Sequence, residues 1–244
     1  MAKTAVFWDI GTCLIPDGYD PRLVGPAIVS ALTRLGVSGP ITITAIGNLK
    51  PFSTDVLESL SSTGIALRNV DKGLFGLVAY LYFWIHHNPS PANLMFVSNL
   101  KLSPSVGIET AVSQSLCQLV LQGYSIFWAY PCIPEPTGIS VAASGKWLWK
   151  SLLEATDADN TVQVLLHQDE FSSPWFCSLC FVPCHSFDDF TMHLKSDNHI
   201  RTEELSILGP IVEASAESHP KNAISSSVVK KQPKRRKGKN KART

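Results

Sequence analysis

The chain has 244 residues, 45% of them hydrophobic, enough for one large core or two of unequal size. Its net charge of +1 hides an asymmetry: residues 221–244 hold ten Lys/Arg and no acid, leaving eleven basic against twenty acidic residues before them. A body of about −9 beside a tail of about +10 argues against broad adhesion of the folded part to nucleic acid and puts any phosphate affinity in the tail. Six cysteines, two of them in a metal-type pair, and the lack of a secretory signal fit a reducing, intracellular setting. Residues 73–100 carry no Asp, Glu, Lys or Arg, yet the apolar run stops at His86-His87-Asn88-Pro89, short of the ~20 residues of a bilayer span, so it is expected as a buried helix and no membrane partner is expected.

The elements alternate in chain order. Residues 5–10 read as a buried strand and 22–35 as a helix ended by Gly36; 41–46, 65–67, 94–97 and 124–130 read as further strands, with helices over 53–62, 71–85 and 108–121 between them. Five strands alternating with helices predict a parallel sheet covered on both faces, with ligands outside the carboxyl ends of the strands. Residues 141–155, with Trp147 and Trp149, read as one more helix. Trp8, Trp84 and Trp128 are expected in the core.

Cys177, Cys180, His193 and His199 stand in the spacing C-x2-C-x12-H-x5-H. That pattern puts two thiolates on a tight turn and two imidazoles on one helix face, the tetrahedral set that Zn2+ takes. A ββα unit this small relies on its metal for stability, with Phe181, Phe187, Phe190 and Leu194 expected as its core. Cys184 and His185 lie between the two ligand pairs and are expected to be non-ligands. The spacing, with His193-Leu194-Lys195-Ser196 before His199, resembles the C2H2 subclass of matrin-like, U1-like and double-stranded-RNA-binding fingers. That resemblance implies RNA, or a protein, as partner, and makes Lys195 a candidate RNA contact.

Val6-Phe7-Trp8-Asp9-Ile10, then Cys13, Pro16, Asp20-Pro21, Thr63-Gly64-Ile65, and Phe83-Trp84 before Asn88-Pro89-Ser90-Pro91-Ala92-Asn93, together resemble plant NYN-domain proteins of the limkain/MARF1 type over residues 4–131. The resemblance implies a three-layer PIN-like ribonuclease fold in which carboxylates at the strand ends hold Mg2+ or Mn2+. Asp9 matches the first family aspartate. Thr12 stands where the family has Asn, and Asn48 where Asp commonly follows the second strand. Asp71 survives from an acidic pair with Leu74 near the second position, and Ser98-Asn99-Leu100-Lys101-Leu102 replaces a Ser-Gly-Asp-Arg-Asp type of motif. Leucine cannot ligate a hard cation, so Asp9 and Asp71 are expected as vestiges of a catalytic site. Asp9-Ile10-Gly11-Thr12 also resembles the nucleophile loop of haloacid dehalogenase-like phosphatases, but the second aspartate of that loop is missing.

The organisation expected is α/β: an NYN (PIN-like) domain over 4–135, a partly helical connector over 136–173, a C2H2-type zinc finger over 174–201, and a linker with a disordered basic tail over 202–244. The function expected is RNA binding in post-transcriptional regulation, with Lys234, Arg235, Arg236 and Lys237 adding phosphate affinity or a nuclear address. The alternatives are an active Mg/Mn-dependent endoribonuclease and a protein-interaction adaptor. The nucleus is favoured by the tail, with the cytoplasm or the peroxisome as alternatives, although Ala242-Arg243-Thr244 is not a signal of the Ser-Lys-Leu kind.

Overall fold

The structure is a computed structural model that describes residues 1–70, 73–99, 108–131, 143–155 and 173–212. The strands are β1 (Thr4–Asp9), β2 (Ile41–Gly47), β3 (Ala66–Asn69), β4 (Asn93–Val97), β5 (Ser125–Tyr130), β6 (Ala143–Leu148), β7 (Trp175–Cys177) and β8 (Val182–Cys184). The helices are α1 (Val24–Arg34), α2 (Thr54–Ser62), α3 (Gly73–His87), α4 (Ile108–Leu121), α5 (Trp149–Glu154), α6 (Phe187–Lys195) and α7 (Asp197–Val212). All eight strands join one sheet in the order β6-β5-β4-β1-β2-β3-β7-β8, parallel except for the β7–β8 hairpin.

The central strands are buried on both faces, which is why they read as continuous apolar runs. Val6 and Trp8 of β1 face the core shared with α1, α2 and α5, whereas Ala5 and Phe7 face the core shared with α3 and α4. The result is the three-layer α/β arrangement expected, a mostly parallel sheet with helices on both faces. On α1, Val24, Ala27, Ile28, Ala31 and Leu32 recur at helical spacing and are all buried. Ser53 caps α2 by accepting from the Val56 amide. Trp8, Trp84 and Trp128 are buried as expected.

Three expectations are corrected. Residues 141–155 do not form one helix: Ala143–Leu148 pairs in parallel with β5, and only Trp149–Glu154 is helical. Trp149 then anchors this addition by packing at 5.6 Å on Trp8 and donating to the Leu14 carbonyl. The segment from 202 onward is not all linker, because α7 continues to Val212; Glu203 on it forms an ion pair with Lys50.

The third correction concerns the Cys/His segment, which is not a separate bead. Its strand β7 adds to the edge of β3 with Leu67 opposite Trp175, Arg68 opposite Phe176 and Asn69 opposite Cys177. The Leu67 amide donates to the Pro174 carbonyl at 2.7 Å and the Ser178 amide to the Asn69 carbonyl at 2.8 Å. Trp175 Nε1 donates to Ser61 Oγ on α2. Phe190 and Leu194 of α6 belong to the same buried cluster as Leu57, Leu60 and Leu67. The compact unit accordingly runs from Met1 to Ile207. Phe190 is 0% exposed, so Phe190→Ala is expected to cost about 3–5 kcal/mol. In urea unfolding followed by tryptophan fluorescence, that loss appears as an earlier midpoint of a single transition for the whole unit. Two transitions, with the main one unmoved, would contradict a shared core.

Candidate functional site

The Cys/His segment brings its four predicted ligands together. One ligand atom from each of Cys177, Cys180, His193 and His199 lies within 4.8 Å of the others, and among the described residues this is the one such group. His199 Nδ1 lies 3.6 Å from Cys177 Sγ and 3.3 Å from Cys180 Sγ. A tetrahedral Zn2+ with bonds of about 2.3 Å to sulfur and 2.0 Å to nitrogen separates such atoms by about 3.6 Å. His193 Nε2 is buried with no hydrogen-bond partner, an orphan that a metal would satisfy. Burial pushes the Cys180 thiol up, and neighbouring Cys177 adds to the shift. Burial also holds His193 below the ordinary imidazole range, and burial followed by the Lys50 charge does the same for His199. Neutral imidazole is the ligating form. The four residues could hold a metal ion, and the donor set is compatible with zinc.

The two imidazoles do not share one helix. At about 100° per residue, positions six apart on a continuous helix point in different directions. The chain solves this at Ser196, whose extended backbone ends α6 and whose Oγ accepts from the His199 amide, starting α7. The break brings the two rings to 5.1 Å. Phe181 is also not a core residue: it sits in the left-handed region at φ 56° and is 81% exposed. Its place in the core is taken by side chains of the α/β domain. Cys184 is buried in that shared core and His185 is exposed, and neither belongs to the converging set. Lys195 is exposed at the end of α6.

Sequence reasoning missed the partners that the α/β domain lends to this centre. Asn69, at the end of β3, is buried; its Oδ1 accepts from the Leu49 amide at 3.0 Å and its Nδ2 donates to Cys177 Sγ at 3.8 Å. An N–H group on a thiolate ligand orients it and spreads its charge. The only sequence sign is an asparagine ending an apolar strand. Asn69→Ala is expected to weaken metal binding about tenfold, measured by competition of Zn2+ or Co2+ with a chromophoric chelator; unchanged affinity would remove Asn69 from the site.

At the carboxyl ends of the central strands, Asp9 ends β1, Asn48 follows β2, Asn69 ends β3, and Ser98-Asn99 follows β4. Asp71 lies outside the described residues, as do Leu100–Leu102 and the tail residues Lys234, Arg235, Arg236 and Lys237. Among the described residues, no three Asp, Glu, His or Cys side chains converge at these strand ends. Asp9 Oδ1 accepts from the Gly11 amide at 3.2 Å, and Asp9 is also hydrogen-bonded by Thr12. Thr12 Oγ1 in turn accepts from the Asn99 amide at 3.2 Å. Asn48 Oδ1 is engaged by the Lys50 amide. The strand ends are thus tied to one another by amide and hydroxyl groups.

Burial raises the Asp9 pKa above its ordinary 3.8, outweighing the Thr12 and Gly11 bonds. For a carboxyl raised in the fold, the stabilising contribution is full below the unfolded value and is lost as pH rises through the folded one. Ionised Asp9 therefore burdens the fold at neutral pH. Asp9→Asn, which keeps an acceptor for Gly11, should raise Tm by about 1–3 °C at pH 7, with the gain shrinking toward pH 4 in calorimetric scans. A lowered Tm at pH 7 would contradict this.

Residues 3–99 match the family model of the NYN domain. The match opens just before β1 and ends at Asn99, immediately after β4, so it covers the strand ends described above; β5, β6 and the Cys/His segment lie beyond it. The match covers less than half of the chain and marks a likeness of this part to a ribonuclease-like domain. No curated protein matches the chain with significance. Among the described residues, no helix is long and apolar enough to cross a membrane.

Proposed function

We propose that this protein binds RNA through a zinc-stabilised C2H2-type finger and a basic tail, on a ribonuclease-like domain that has lost its metal-dependent cleavage and serves as a platform in post-transcriptional regulation. The observation that carries the reading is the chemistry at the strand ends. Asp9 is joined there by Thr12, Asn48, Ser98 and Asn99, neutral groups that hydrogen-bond but do not neutralise Mg2+ or Mn2+. A divalent ion needs several carboxylates to be held and to activate water. With Asp9 and Asp71 as the carboxylates inherited from the family pattern, the domain keeps a shape suited to nucleic acid without the charge that cleaves it.

The metal of the finger is Zn2+, from two thiolates and two imidazoles in tetrahedral spacing. Lys195, exposed on α6, contacts the RNA backbone, and Lys234, Arg235, Arg236 and Lys237 supply further phosphate contacts.

The test is incubation of end-labelled single- and double-stranded RNA with full-length protein in Mg2+ or Mn2+, beside Asp9→Asn, on native and denaturing gels. The expected result is a mobility shift without cleavage for both proteins. Replacing the four tail residues by Ala should flatten the slope of log K against log salt by about 2–3, as four lost single-strand phosphate contacts require. Cleavage that disappears in Asp9→Asn would make the protein a ribonuclease. No shift of any RNA at low salt would favour a protein-interaction adaptor.

A further inference from the structure

Between α3, β3 and the β7–β8 hairpin lies a cavity of about 500 Å3, within the range of small-molecule sites. Tyr80, Phe83, Phe176 and Phe181 give it aromatic walls, and Ile46 and Val70 give it aliphatic surface. Gly76 lets α3 approach closely, since a Cβ there would lie 2.7 Å from Val70 Cγ1. Among the described lining residues one carries a charge, and it is Arg68.

Arg68 is 4% exposed. Its guanidinium carbon lies 4.9 Å from the ring centroid of Tyr80 and 5.2 Å from that of Phe176. Ring faces attract the cation, yet they leave its in-plane N–H groups without acceptors. Nε and Nη2 have no hydrogen-bond partner. These two nitrogens form one edge of the guanidinium, with N–H bonds nearly parallel, the fork that takes both oxygens of a carboxylate. Arginine does not escape burial by losing its proton, so the open fork at an apolar cavity calls for an anion.

We propose that this cavity binds a small organic carboxylate, its head on the Nε/Nη2 fork of Arg68 and its apolar body against Tyr80, Phe83 and Phe176. One cation matches a monoanion, whereas a phosphate dianion would bury a second charge without a partner. Besides Arg68 and the Tyr80 hydroxyl, the described polar lining is Ser173 and Ser178, too little to read the edge of a nucleobase. Phe181, which lines the cavity while largely exposed, supplies a ring that a bound apolar body would cover. None of Cys177, Cys180, His193, His199, Asp9, Asn48, Ser98 and Asn99 is among the described lining, and the proposal does not rest on the RNA reading.

Full-length, metal-loaded protein titrated calorimetrically with naphthalene-2-carboxylate, decanoate and the neutral naphthalene-2-carboxamide tests this. The expected result is saturable binding of a carboxylate, with the naphthalene acid at least tenfold tighter than its amide and Arg68→Gln erasing that difference. Because Arg68 is buried in β3, a second variant separates binding from folding. Ala79→Trp, at an exposed lining position on α3, should block the cavity and abolish carboxylate binding with an unchanged circular dichroism spectrum. Neither acid binding, equal affinity for acid and amide, or binding unchanged in both variants would overturn the proposal. Adenosine 5′-monophosphate binding more tightly than either acid would overturn the class assigned to the ligand.

Discussion

The structure depends on the parallel pairing of β3 with β7. A strand at the edge of a sheet leaves a row of N–H and C=O groups without partners, and a protein must cover them or leave them open to other chains. Here the Cys/His segment covers them: the Leu67 amide reaches the Pro174 carbonyl and the Asn69 carbonyl takes the Ser178 amide. The three-residue strand β8 then closes that side of the sheet. This single pairing sets Cys177 opposite Asn69, brings α6 onto α2, and encloses the Arg68 cavity behind the hairpin. A unit too small to bury a core of its own borrows the core of its neighbour. In return, the neighbour's edge is held by a segment in which four side chains converge that could hold a metal ion.

The strand ends follow a different logic. In a parallel α/β sheet they are the natural place for a ligand, and here they are occupied by hydrogen bonds from the Gly11 amide to Asp9 and from the Asn99 amide to Thr12. Such groups stabilise the loops, and they remain neutral. Among the described residues at these strand ends Asp9 alone brings charge, and burial works against its ionisation. In a working metal site a cation would repay that cost. Among the described residues, two thiols, two imidazoles, Asn69 and the Lys50–Glu203 pair gather on the β3–β7 side.

Much of the α/β order was legible because local patterns carry it. Apolar runs marked β1, β2, β4 and β5 within a residue or two, and helical spacing marked α1 and α2. The four Cys/His positions were legible because ligand spacing is local. The pairing of β7 with β3 joins residues 108 apart, as Asn69 and Cys177 are, and leaves no period in the sequence. Strand β6 was missed because Ala143-Ser144-Gly145-Lys146 has no strand alternation, and its place is decided by the edge of β5 and the Trp8–Trp149 contact. Helix α7 was missed because its first turns are polar on most faces and are held by the Ser196 cap and the Lys50 ion pair.

The central claim is that the Cys/His centre and the α/β sheet form one structure. Hydrogen exchange of full-length protein loaded with Zn2+, before and after treatment with a chelator, tests it most directly. The account predicts that stripping raises exchange at Leu67 as well as at the Ser178 amide, because both bonds belong to the shared edge. Faster exchange confined to residues 175–199, with Leu67 as protected as before, would contradict it.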